Sequence, residues 1–167
     1  MNTPVIRPAG PNEATLISSL ATRIWPVCYS GILSEAQIAN MLKHIYSPAS
    51  LARQMEECQR FWIMRDEQGN HAHGFIAVLP EKNNGLLLKK LYLLPELQGK
   101  GHGSSLLSFA LQAFPDAHGV RLYVNRDNLA AQRFYARRGF RVTGEEPVRM
   151  GEYDFVDLVM YKPLVLL

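Results

Sequence analysis

Between residues 91 and 107 the chain reads Leu-Tyr-Leu-Leu-Pro-Glu-Leu-Gln-Gly-Lys-Gly-His-Gly-Ser-Ser-Leu-Leu, a leucine-rich strand feeding a glycine-rich turn and then an apolar-faced helix. This layout suits an anion. Glycines let the main chain take conformations closed to other residues and come close to a ligand. The free amides of a first helical turn add partial positive charge that points outward. A diphosphate matches both properties, and the segment Gln98-Gly99-Lys100-Gly101-His102-Gly103-Ser104 would grip it. Lys100 either adds a point charge against phosphate oxygens or solvates the loop. His102, between two glycines, is expected to face solvent.

The familiar nucleotide loops fit these residues poorly. A dinucleotide fingerprint GxGxxG starting at Gly99 would need glycine where Ser104 stands, and a P-loop needs Ser or Thr after Gly99-Lys100, where Gly101 stands. A second block lies one strand and one helix later: Asn125-x-x-Asn128-x-x-Ala131-x-x-Phe134-Tyr135-x-x-x-Gly139-Phe140. Gln98-x-x-Gly101-x-Gly103 resembles the acetyl-CoA pyrophosphate motif of the GNAT superfamily of N-acetyltransferases, and the second block resembles that family's following motif. The order of elements agrees along nearly the whole chain.

The resemblance implies acetyl-CoA as co-substrate, with no metal. Two parallel strands would splay where pantetheine enters, and the exposed main chain of Leu91 and Leu93 would pair with its amides as an added strand does. The Leu93 amide would polarise the thioester carbonyl. Tyr135 matches the tyrosine that faces the CoA sulfur; its phenol, ordinarily titrating near ~10, would protonate the departing thiolate, or else it packs as a core aromatic. Asn128 would reach pantetheine, cap the next helix, or do both, with Ala131 beside the cofactor and Asn125 supporting the turn. Arg133, Arg137 and Arg138 either approach the 3′-phosphate or form a charged outer helix face. Acceptor contacts fall on Trp25, Tyr29, Ile32 and Tyr153. Tyr29-Ser30-Gly31-Ile32-Leu33-Ser34 with Tyr46-Ser47-Pro48 is similar to relatives that acetylate small amines, polyamines among them.

The expected reaction is therefore direct transfer of acetyl to a primary amine in a ternary complex. The competing readings are a non-catalytic acyl-CoA sensor and a protein or peptide N-acetyltransferase. Some relatives carry a glutamate on the long strand, but Leu86 to Leu94 contains no carboxylate. Glu81, Glu152, Asp154 and Tyr153 are the remaining candidates for the base, each equally at home as a surface residue. His71-x-His73 has alternating-strand spacing but no third ligand in view.

The elements that must position these groups follow from periodicity. Val5-Ile6 reads as a strand; Leu16, Ile17, Leu20 and Ile24 mark a helix ending near Pro26; Ser34-x-x-Gln37 opens a second helix with a capping box. Ser47-Pro48 starts a third helix, running to about Cys58. Strands Phe61–Met64, Gly74–Leu79 and Leu86–Leu94 form a meander, and then a helix from Gly101 to Phe114, a strand Val120–Val124 and a helix Leu129–Arg138 ended by Gly139 require a crossover. Phe140–Thr143 and Phe155–Tyr161 close the chain as strands. The fold class expected is α/β with α+β mixing: a three-layer GNAT-like fold in one domain spanning 1–167, with helices on both faces of a mixed sheet of about six to seven strands.

Composition agrees. With 167 residues, 47% hydrophobic and 20% charged, one domain can bury a substantial core. A net charge of +3 without basic runs argues against a nucleic-acid surface. No stretch approaches the ~20 apolar residues of a membrane span, so a cytoplasmic protein is expected. Cys28 and Cys58 read as reduced, structural thiols. The apolar tail Pro163-Leu164-Val165-Leu166-Leu167 is a candidate for covering a sheet edge or pairing two copies as a homodimer.

Overall fold

Capping chemistry sets where the N-terminal helices begin. Ser34 Oγ accepts from Gln37 N at 3.1 Å while Gln37 Oε1 accepts from Ser34 N at 2.8 Å, closing the expected box. Ser47 Oγ accepts from Ser50 N at 3.3 Å, with Pro48 in the first turn where no donor is needed. In the computed structural model, which describes residues 3–164, the elements are β1 Val5–Ala9, α1 Ala14–Cys28, α2 Glu35–Ile45, α3 Pro48–Glu56, β2 Arg60–Arg65, β3 Ala72–Pro80, β4 Gly85–Leu93, α4 His102–Leu111, β5 Gly119–Asn125, α5 Leu129–Ala136, β6 Arg141–Met150 and β7 Tyr153–Pro163.

α1 outruns its expected stop at Pro26. Proline removes one helical donor, but Tyr29 N still reaches Trp25 O at 3.0 Å, and the buried side chains of Ile24 and Trp25 hold the last turn on the sheet. The closing hairpin is also longer than its hydrophobic pattern suggested. β6 is largely exposed, and its Glu145-Glu146-Pro147 stretch carries no apolar alternation, so pairing with β7 forms it.

The sheet order is β1-β2-β3-β4-β5-β7-β6, with β4 and β5 the parallel pair and the other neighbours antiparallel. Both outer strands, β1 and β6, contain a proline, Pro8 and Pro147. α1, α2 and α3 cover one face over a core that includes Ile17, Ile24, Leu51, Phe61, Ile63 and Phe75. On the other face α4 and α5 pack over Ile76, Val78, Leu106, Val120 and Leu122. Helices thus lie on both faces of a seven-stranded mixed sheet.

One irregularity positions the site. Across β3 and β4, Ala77 opposes Lys90 and Val78 opposes Leu88, so Lys89 is an extra residue, a bulge. It shifts the alternation of β4, so that Leu86, Leu88, Leu91 and Leu93 pack toward α4 while Tyr92 joins the core under α1. β4 and β5 pair from Gly85↔Gly119 to Leu88↔Leu122 and then part, although β4 continues to Leu93 and β5 to Asn125. Pro163 pairs with Gly119 inside the sheet, and Leu164 N bonds His118 O at 2.8 Å, so the start of the apolar tail extends an interior strand. Val165–Leu167 lie outside the described residues.

Close approach at the end of β4 depends on Gly74. A Cβ there would stand 2.3 Å from Tyr92 O and 2.7 Å from Leu93 Cδ2. Gly74→Ala is expected to lower unfolding free energy by about 1–3 kcal/mol, read as a lower urea midpoint, and to weaken CoA binding because relief of the clash moves Leu93.

Candidate acetyl-CoA site and acceptor cleft

The turn after β4 withholds its amides from the rest of the chain. Gln98 N donates to Pro95 O at 3.3 Å and Ser105 N to Gly101 O at 3.1 Å, but the six amides of Gly99 through Ser104 find no acceptor among the described residues. Gly99 and Gly101 hold φ of 76° and 85° with nothing within 4 Å of a built Cβ, so conformation requires glycine at both positions. Gly103 is glycine for space, since a Cβ would stand 3.0 Å from the Phe134 ring. The amides converge at the N-terminus of the ten-residue α4, where the helix dipole reinforces them.

Side chains of this loop depart from simple expectation. Lys100 is exposed. His102 is half-buried, its ring 6.3 Å from that of His73, so it does not simply face solvent. Gln98 turns inward: its Nε2 donates to Leu93 O at 3.2 Å and to Cys28 Sγ at 3.5 Å, tying the turn to β4 and to the end of α1. Arg138 folds back over the Phe134 ring, 3.6 Å from its centroid, while Arg133 and Arg137 stay exposed.

Where β4 leaves β5, main-chain groups face an open gap. Leu94 N bonds His73 O at 2.9 Å, so Tyr92 and Leu94 turn their amides toward β3. By strand alternation those of Leu91 and Leu93 turn toward the gap. Across it, Asn128 Oδ1 accepts from Ala131 N at 3.2 Å and caps α5, while Asn125 Oδ1 accepts from Asp127 N at 2.9 Å. Tyr135 lies on the cleft side of α5, its ring edge-on to Phe134 and Phe140 at 5.2 and 5.4 Å. Phe140 N bonds the Tyr135 carbonyl at 3.1 Å in a Schellman turn whose left-handed residue is Gly139, φ 92°. The Tyr135 hydroxyl has no partner among the described residues. Burial pushes its phenol well above the ordinary tyrosine range, so it stays protonated.

Leu91, Asn125, Asn128, Ala131 and Tyr135 line one cleft of about 590 Å³ that continues beneath α1 and α2. Trp25, Tyr29, Tyr46 and Tyr92 form an aromatic wall, with Trp25–Tyr29 centroids 4.3 Å apart and the Tyr29 and Tyr92 hydroxyls hydrogen-bonded at 2.9 Å. Burial raises the Tyr29 phenol to about 12. Ile32 and Tyr153 line separate hollows between the α1–α2 connection and the β6–β7 hairpin, so the main cleft brings together only Trp25 and Tyr29 of the four expected acceptor residues.

The expected bases are elsewhere. Glu81 accepts from Arg121 Nε at 2.9 Å at the paired end of β4 and β5, and that guanidinium holds it below the usual carboxylate range. Asp154 sits 3.7 Å from Arg149, both largely exposed, and Glu152 lies in the hairpin turn. His71 precedes β3, so it does not share a strand face with His73; among the described residues no three metal-type ligands cluster. Cys28 and Cys58 are free thiols.

Two charged groups in the cleft escaped the sequence reading. Asp157 stands opposite Asn125 on β5 and Glu146 on β6, and burial first, then the Glu146 charge, raise its carboxyl to about 6. Its signal was present: a carboxylate in the otherwise apolar run Phe155-Val156-Asp157-Leu158-Val159. Lys90 is 4% exposed, its Nζ donating to Gln54 Oε1 at 2.5 Å and Gln59 Oε1 at 2.8 Å. It lies over the rings of Tyr46 and Phe61 at 5.8 and 5.3 Å. Burial, with the Lys89 charge adding to it, lowers its ammonium to about 7.

Known proteins share this fold. The family model of the acetyltransferase (GNAT) domain matches residues 30–162. An uncharacterised N-acetyltransferase of Mycobacterium tuberculosis is 28% identical over 155 residues, 92% of this chain and 99% of its own. The spermidine N(1)-acetyltransferase of Thermoplasma acidophilum is 29% identical over 143 residues, 82% of this chain and 88% of its own. The crystal structure of PaiA N-acetyltransferase from that organism in complex with coenzyme A aligns with a TM-score of 0.82 at 27% identity, covering 97% of this chain and 99% of that one. The chain belongs to the GNAT family. It is an acyl-CoA-dependent N-acetyltransferase. Among the described residues no helix is long and apolar enough to cross a membrane.

The depressed Lys90 ammonium has a thermodynamic consequence. Between about 7 and the ordinary lysine value the unfolded chain holds a proton that folded Lys90 releases, so stability rises with pH across that window. Denaturant unfolding at pH 7, 8 and 9 should show wild type gaining on Lys90→Met, by at most about 1.4 kcal/mol per pH unit. Parallel curves would refute the depressed value.

Proposed function

We propose that the protein transfers acetyl from acetyl-CoA to the primary amine of a small cationic acceptor, polyamine-like in its chemistry, by direct attack in a ternary complex. The carrying observation is the gap between β4 and β5, with free amides at one end and an aromatic, carboxylate-bearing cleft beneath it. The amides of Gly99 to Ser104 bind the diphosphate, with Lys100 nearby. The main chain of Leu91 and Leu93 pairs with pantetheine, alongside Asn128 and Ala131. Trp25, Tyr29 and Tyr92 enclose the acceptor's alkyl chain, and tyrosine faces attract its ammonium groups. The similarity to a spermidine N(1)-acetyltransferase supports a small amine.

The reaction needs charge managed at two atoms. As the amine nitrogen bonds to the thioester carbon, the oxygen gains charge and the Leu93 amide donates to it. The carbon–sulfur bond then breaks. The sulfur takes the Tyr135 proton, and the proton left on the new amide nitrogen restores the phenol. A half-buried phenol that stays protonated, with a free hydroxyl, suits this donor role.

The test is thiol release with a panel of diamines, polyamines, amino acids and peptide N-termini; polyamines should give the highest kcat/KM. Tyr135→Phe should lower kcat about 100-fold while KM for acetyl-CoA stays within a few-fold. A full rate in that variant would remove the donor role.

A further inference from the structure

We propose that Asp157 is the group that receives the proton of the acceptor ammonium, a base supplied by β7 in place of the carboxylate missing from β4. This rests on the acceptor reading above and names the residue that completes it. Asp157 faces the same side of the sheet as Asn125, its antiparallel neighbour, and lines the same cleft as Tyr29, Tyr92 and Tyr135. Among the described residues its carboxylate has no hydrogen-bond or ion-pair partner. Glu81 and Asp154, by contrast, are matched with arginines. An unengaged, half-buried carboxylate beside aromatic rings favours a cation, and an acceptor ammonium is that cation.

The surroundings make the transfer feasible. Glu146 on β6 stands opposite Asp157, and Tyr29 just after α1, Tyr92 and Lys90 on β4, and Tyr135 on α5 line the same cleft. Burial keeps the three phenols protonated, so Glu146 is the near charge, and it raises Asp157. Lys90, held by Gln54 and Gln59 in the cleft wall, shows the direction in which burial moves an amine, its ammonium being lowered to about 7. An acceptor amine desolvated in the same way gives up its proton to Asp157 far more readily than it would in water. The nitrogen lone pair so freed attacks the thioester. Asp157 then loses its proton to solvent through the open cleft, which accounts for the one proton released per turnover.

The experiment is the pH dependence of kcat/KM for the amine, with acetyl-CoA affinity measured separately by calorimetry. Wild type should lose activity below a limb near pH 6. Asp157→Asn should lose about 100-fold in kcat/KM at pH 7 and lose the limb, with acetyl-CoA affinity within twofold. Asp157→Glu should recover part of the rate and keep a limb. Glu146→Gln should move the limb down by about half a pH unit, because the neighbouring charge no longer opposes ionisation. This shift tests the assignment even if Asp157→Asn fails to fold. An Asp157→Asn enzyme with the wild-type limb, at full or reduced rate, overturns the proposal; so does a limb unmoved by Glu146→Gln or abolished by Lys90→Met. Wild-type protein that acetylates no amine removes the acceptor reading along with this one, whereas amine turnover indifferent to Asp157 removes this one alone.

Discussion

Past Leu88, β4 has lost its neighbour, and the rest of the site follows from that loss. The extra residue Lys89 interrupts the register with β3 and reverses the alternation of the strand. Beyond it, β5 diverges and leaves strand main chain without a partner inside the protein. Unmatched peptide groups are costly when shut away from water, so they persist only where solvent or a ligand reaches them. The free amides of Gly99 to Ser104 pose the same demand a few residues later. The fold holds two sets of main-chain donors open, spaced along one strand and its turn, and in the proposed function these take the peptide-like arm and the diphosphate of coenzyme A in that order.

Burial does different work beneath the gap. It raises the phenols of Tyr29, Tyr92 and Tyr135, lowers the ammonium of Lys90 and raises the carboxyl of Asp157. Each shift disfavours a charge, and together they draw amine and carboxyl affinities for the proton toward one another. Gln54 and Gln59 restrain Lys90 with two carbonyl oxygens, so that buried nitrogen stays hydrogen-bonded.

Legibility in the sequence followed the locality of the cause. Ser34-x-x-Gln37, Ser47-Pro48 and Gly139 act through atoms a few residues away, and the structure bears out each terminus. The meander and the crossover were legible because apolar residues change period at Phe61 and again after Gly101. Two motifs carried the family. β6 was under-read because it is an exposed outer strand whose existence depends on β7, and α1 because tertiary burial outweighed Pro26. Asp157 and Lys90 were passed over for another reason. Their environments are made by strands and helices distant in sequence, and one carboxylate or one lysine in a strand looks ordinary until its neighbours are known.

The two prolines on the outer strands bear on how copies of this chain meet. A strand at the rim of a sheet offers unpaired peptide groups that another molecule's strand can extend, which is how many β-rich proteins polymerise. Pro8 and Pro147 each delete a donor from such a rim, and Glu145, Glu146 and Arg149 add charge to one of them. End-to-end growth of the sheet is therefore discouraged at both limits. A second copy that extended the sheet by strand pairing would have to work around these prolines and charges.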